Sequence, residues 1–205
     1  MPYKPGEREY RAFSVPLECR EAEGEEAEQF IVEGYATTFN DPYRMFSFEG
    51  VDYFEEIDRD ALTEADMSDV VFLYNHEGMV FARISNDTLT VSANERGLYV
   101  RADLGKTTQS RQMYESIKAG NVTQMSWAFT IADSGDEYNE ETHTRTIKRV
   151  EKVFDVSAVS FPANPSTDIS ARSYFDGVIE EEQKRRRDRE RVENLREAIR
   201  AKLER

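Results

Sequence analysis

Residues 30–159 are cut into short apolar segments by turn-forming residues, and this punctuation constrains the fold more than any other feature. FIVEGYATTFN, VVFLY, MVFAR, TLTVSA, GLYVRADL and QMSWAFTI are rich in β-branched and aromatic residues, and each is too short for a stable lone helix. Asn86-Asp87 and Asn94-Glu95-Arg96-Gly97 between them are hairpin signals. A first strand is expected within residues 7–19, where Pro16 argues for an edge. The aromatic stretch DPYRMFSFEGVDYFEEI reads as a loop with a short strand. DRDALTEADMS (residues 58–68) reads as a short helix capped by Asp58 or Asp60. TTQSRQMYESIKAG predicts a clear helix: Thr107 or Thr108 caps it, Met113 and Ile117 lie one turn apart, and Gly120 ends it. SGDEYNEETHT reads as a polar hairpin, and RTIKRVEKVFDVSAVSFPANP as one long strand or two, ended by prolines. The expected class is mainly β with flanking helices. A closed or nearly closed β-barrel is the expected architecture, because closure removes strand edges.

The character changes at Glu180. Residues 180–205 carry eight acids and ten bases, and Val192, Leu195, Ile199 and Leu203 mark a narrow helical stripe. The expected division is a domain over residues 1–175 and a charged helical extension over residues 176–205, joined through Ser173 to Val178. A partner-binding helix and a merely solvated one fit this pattern equally well.

Charge and composition narrow the function. The 205-residue chain has a net charge of -14, which repels phosphate backbones and anionic membranes. No apolar run approaches the ~20 residues of a membrane span, and the first residues lack the apolar core of a signal peptide. Cys19 is the one cysteine, so neither an internal disulfide nor a Cys/His zinc cluster is expected. A reduced, cytoplasmic setting follows.

Two histidines, His76 and His143, are the available imidazoles. His76 ends the apolar run VVFLYN, where a strand emerges beside a cleft, and its ordinary pKa of ~6.5 suits proton transfer. A plain surface histidine is the competing reading. Ser126 lies in VTQMSWAFTI. Strand alternation puts Met125, Trp127, Phe129 and Ile131 on a heavy face, and Gln124, Ser126, Ala128 and Thr130 on a light one. The heavy face anchors the strand, and the light face leaves room for a peptide beside Ser126. Taken alone, the residue reads more simply as a strand serine bonding its neighbours. No GxSxG elbow is present. Asp155 is a lone acid among apolar strand residues, so it needs a partner if buried. His143 sits in the acid-rich hairpin and reads more simply as a solvent-facing side chain.

Taken in order, YNHEG, GLYVRADL with QMYESIKAGNV, QMSWAF, and FDVSAVSFPANPST resemble the prohead maturation proteases of tailed bacteriophages, which are similar to the herpesvirus assemblin proteases. The resemblance covers residues 30–171. It implies an assemblin-like β-barrel, with Ser126 as nucleophile, His76 as base and the third member at Asp155. That third position is usually Glu in the family. Assemblins use a second histidine there, which makes His143 the alternative. The loop at Ala163 and Asn164 is implied as the oxyanion region. No metal or organic cofactor is implied. The implied role is cleavage of the capsid protein, its scaffolding segment and the protease itself, inside an immature shell in the host cytoplasm. Dimerisation is implied by the assemblins. No nucleic acid or membrane partner is expected. A non-catalytic scaffolding or capsid-interaction protein on the same barrel is the alternative reading.

Overall fold

A computed structural model describes residues 6–13, 17–20, 29–160 and 169–203. The chain is mainly β with a long C-terminal helix. Its strands are β1 (Glu9–Phe13), β2 (Glu18–Arg20), β3 (Ile31–Thr38), β4 (Tyr43–Phe48), β5 (Val51–Ile57), β6 (Val71–Tyr74), β7 (Glu77–Arg83), β8 (Leu89–Ala93), β9 (Gly97–Asp103), β10 (Gln124–Ile131), β11 (Asp136–Asn139), β12 (Thr144–Ile147) and β13 (Val150–Val159). The helices are α1 (Thr108–Lys118) and α2 (Ile169–Leu203).

Hydrogen bonding divides the strands among three sheets, ordered β1-β10-β13-β6-β7, β11-β12-β5-β4 and β2-β3-β9-β8. No closed barrel is found among the described strands. The sheets share one core instead, built on Trp127, Phe129, Phe72, Leu98 and Ile147. The single strand expected over residues 7–19 is two, β1 and β2, each at the edge of its sheet, and Pro16 lies outside the described residues.

Two segments differ from their sequence reading. Residues 58–68 form successive turns rather than a helix, with backbone bonds Ala61 to Asp58, Thr63 to Asp60 and Ala65 to Leu62. The aspartates compete with helical bonding: Asp58 accepts from the Asp60 amide and Asp66 from the Ser68 amide. Residues 43–57, read as mostly loop, are the β4–β5 hairpin, with Glu49 and Gly50 both at positive φ in its turn. Helix α1 forms as expected. The Thr107 side chain accepts from the Ser110 amide, while Met113 and Ile117 are buried.

Residues 173–178 are helical. α2 runs straight through them and crosses the expected boundary at residue 175. Phe175 and Ile179, one turn apart, bury against Met45 and Tyr53 on β4 and β5. Beyond half-buried Glu182 and Gln183 the described part of α2 is exposed, with Val192, Leu195 and Ile199 open to solvent.

Candidate active site

The first sheet brings the chemistry together through register. Ser126 on β10 pairs with Ser157 on β13 and with Ala12 on β1, and Ala128 pairs with Asp155 and Tyr10. Directly paired residues point to the same face. Tyr10, Ala12, Ser126, Ala128, Asp155 and Ser157 therefore form one surface. β13 runs parallel to β6, which places the end of β6 beside Ser157 and Ala158.

His76 arrives on that face by way of a tight turn. Tyr74 pairs with Glu77, leaving Asn75 and His76 as a two-residue hairpin loop. Both have positive φ, 51° and 61°. Asparagine is common in such a turn, but the second position usually takes glycine. A histidine there is strained by about 1–2 kcal/mol, and strain of this kind persists where the surroundings dictate the position. Three contacts do so. Nδ1 lies 2.6 Å from Asp155 Oδ1, Nε2 lies 2.7 Å from Ser126 Oγ, and the Tyr10 ring meets the imidazole edge-on at 4.8 Å.

These distances fix the working tautomer. An ionised Asp155 only accepts, so Nδ1 carries the proton and Nε2 holds the lone pair facing Ser126. Ser157 donates its hydroxyl to the same Asp155 oxygen at 2.8 Å and stands 3.2 Å from His76 Nδ1. The Ser126 hydroxyl also lies 2.9 Å from the Arg11 carbonyl, so its proton has two acceptors within reach. The Asp155 side chain is buried, which leaves its charge to be satisfied by His76 and Ser157. Ser126 has no exposed surface, whereas 15% of the His76 side chain is exposed. The expected open space beside the light face of β10 is therefore absent among the described residues. Solvent reaches the cluster past the His76 hairpin.

His143 lies elsewhere. It sits at positive φ in the turn between β11 and β12, with Nδ1 3.0 Å from the Tyr138 hydroxyl and 3.5 Å from Glu182 on α2. Glu182 also accepts from Tyr53 at 3.2 Å, and burial beside this carboxylate pushes the Tyr53 hydroxyl up to about 12. These contacts fasten α2 to the hairpins. Ala163 and Asn164 lie outside the described residues. Among the described residues no group of acids, histidines and cysteine could hold a metal.

The model of the Caudovirus prohead serine protease family matches residues 15–179, most of the chain, including His76, Ser126, Asp155 and Ser157. The chain belongs to that family. Its name marks it as a family of peptidases. The prohead protease of Enterobacteria phage HK97 is similar, at 29% identity over 157 residues covering 75% of this chain and 64% of that protein. The chain thus spans a little under two thirds of that relative's length. No solved structure matches.

Sequence reasoning missed two parts of this cluster. Ser157 stood in the DVS motif, and its spacing of two from Asp155 puts both on one strand face. That signal was available. The Arg11 carbonyl left none, because a backbone acceptor is present at every residue. Tyr43, Glu55 and Arg145 also join in a buried ionic cluster behind the site. Arg11 pairs with Glu9 and Glu55, and Arg145 bonds both carboxylates at 3.2 Å and Asp136 at 2.6 Å. Burial alone would push the Glu55 carboxyl up, but Arg11, Arg145 and the Tyr43 hydroxyl outweigh it and hold it below the ordinary range.

Proposed function

We propose that the chain is a serine endopeptidase in which Ser126 is the nucleophile, His76 its general base and Asp155 the residue that orients the imidazole. The observation that supports this best is the two-sided bridge made by His76, 2.7 Å to Ser126 and 2.6 Å to Asp155. In the proposed reaction Nε2 takes the Ser126 proton as Oγ attacks the scissile carbonyl. The resulting imidazolium is held between Asp155 and the departing amine, to which Nε2 returns the proton. Water then repeats the cycle on the acyl-enzyme. The shorter aspartate is compatible with this role, since β13 carries it parallel to β6 and the hairpin turn brings His76 to it.

Oxyanion donors are needed as well, each worth about 3 kcal/mol, and the Ala163–Asn164 loop is the proposed source. The assemblin-like barrel belongs to the same proposal. It is supported by the packing of β10 against β3 and of β7 against β9 across sheet boundaries.

The proposed substrates are the capsid protein with its scaffolding segment, and the protease itself, inside the immature shell in the host cytoplasm. Family membership supports this reading. Co-expression with the capsid protein tests it. Shortened capsid subunits should appear on a gel, and Ser126→Ala should abolish them. Processing that survives Ser126→Ala would remove the assignment.

A further inference from the structure

We propose that Met79 and Val80, on a bulge of β7 beside His76, form the surface along which the substrate peptide lies, and that the substrate brings an apolar side chain to it near the scissile bond. The proposal rests on the triad reading above.

β7 is the outer strand of the sheet that carries the triad, and it starts at the residue after His76. Its pairing with β6 passes from Tyr74↔Glu77 to Phe72↔Ala82, so residues 78–81 stand opposite Leu73 alone. This is a bulge, a feature that recurs beside active sites because it re-aims side chains. Consecutive side chains of a regular strand point to opposite faces, so one of Met79 and Val80 would turn inward. The bulge turns both outward, leaving them 51% and 45% exposed. Outside α2 they are the exposed large hydrophobic residues among the described ones.

Single exposed apolar residues are ordinary, but an adjacent pair three residues from the base is not scattered. Access points the same way. Of the three triad side chains, His76 is the one with appreciable exposure, and Glu77 and Gly78 beside it are exposed too. A peptide that approaches Ser126 between this hairpin and half-buried Tyr10 and Ala12 on β1 meets β7 on one side. Met79 is three positions along the chain from His76, a span of about 10 Å at most. An extended substrate covers that span in about three residues. The apolar side chain that meets the bulge thus lies within about three residues of the cleaved bond.

Covering the exposed halves of both side chains should contribute about 10- to 100-fold to kcat/KM. The test uses the full chain and a peptide library made by digesting a bacterial proteome with a glutamate-specific protease, with cleavage sites read by mass spectrometry. The parent should cut sites enriched in an apolar residue at one position within three of the bond. Met79→Asp with Val80→Asp should lose that preference and about 10- to 100-fold in kcat/KM, chiefly through KM. Met79→Leu should retain both. Hydrolysis of p-nitrophenyl acetate, too small to touch the bulge, should be unchanged in every variant. It thereby reports an intact fold and triad. A double variant that cuts the same sites at the parental rate overturns the substrate surface and leaves the triad standing. A parent that hydrolyses neither ester nor peptide, or a Ser126→Ala variant that still does, overturns the triad reading and this proposal with it.

Discussion

Two polar networks lie back to back across β1 and β10, and they treat burial in opposite ways. On the core side Glu9, Arg11, Glu55 and Arg145 are closed off from water, and each charge meets an opposite one. Tyr174 on α2 lies over the Arg145 guanidinium at 3.9 Å. On the other side buried Asp155 bonds His76, His76 keeps an edge in water, and the proton of Ser126 has a choice of acceptors. The first network is saturated, so it fixes strands in place: Arg11 ties β1 to β5, and Arg145 ties β12 to both. The second holds Asp155 against His76 and Ser157, and a charge that forms on His76 during the proposed reaction would face that carboxylate. The strands link the two. Arg11 is clamped by its guanidinium on one face while its carbonyl touches Ser126.

This contrast can be broken at either network. The largest expected effect is His76→Ala, which should lower kcat by about 100,000-fold or more with the fold intact by circular dichroism. Asp155→Asn should follow at about 10,000-fold in kcat, since the amide can favour the wrong imidazole tautomer. Thermal unfolding of the Asp155→Asn protein should differ little from the parent.

Arg145→Leu should reverse the pattern. It leaves buried carboxylates short of a partner and should cost about 3–5 kcal/mol in denaturant unfolding. The specific activity of the protein that remains folded should stay within a few-fold. Acid should probe the same cluster. Glu55 is held below its ordinary value, so its contribution is full above the usual carboxylate pKa of ~4.3 and is lost as pH falls below it. A parent whose stability is flat from pH 6 to pH 3 would contradict that assignment.

Ser157→Ala is the smallest effect. It removes one hydroxyl bond to an ionised carboxylate and should reduce kcat about tenfold with KM unchanged. Restoration by Ser157→Thr would show that the hydroxyl, rather than packing, is responsible.

The two networks also differ in how visible they are in sequence. Ser126, His76 and Asp155 could be singled out because each interrupts an apolar strand pattern, and the resemblance set them in order. Their meeting could be drawn as an expectation because strand alternation fixes which face each occupies. The ionic cluster gave no such cue. Glu9, Arg11 and Arg145 lie in segments read as strands with nothing in their local pattern to mark these charges as buried, and the tertiary stacking of three sheets buries them. The β4–β5 hairpin was obscured by its aromatics, which are shared between the core and α2 rather than alternating cleanly. Residues 58–68 had helical apolar spacing, but the local bonds of Asp58 and Asp66 prevailed over it. The hairpin conformation of His76 was legible only as a strand end, since its positive φ defies the usual residue preference.

The central claim is that Ser126 is activated by His76. Treating the full chain with diisopropyl fluorophosphate and locating the adduct by peptide mass spectrometry tests it most directly. One phosphoryl group on the peptide containing Ser126 is expected in the parent, with none in His76→Ala. An adduct on another serine, or labelling of Ser126 that is undiminished without His76, would contradict the account.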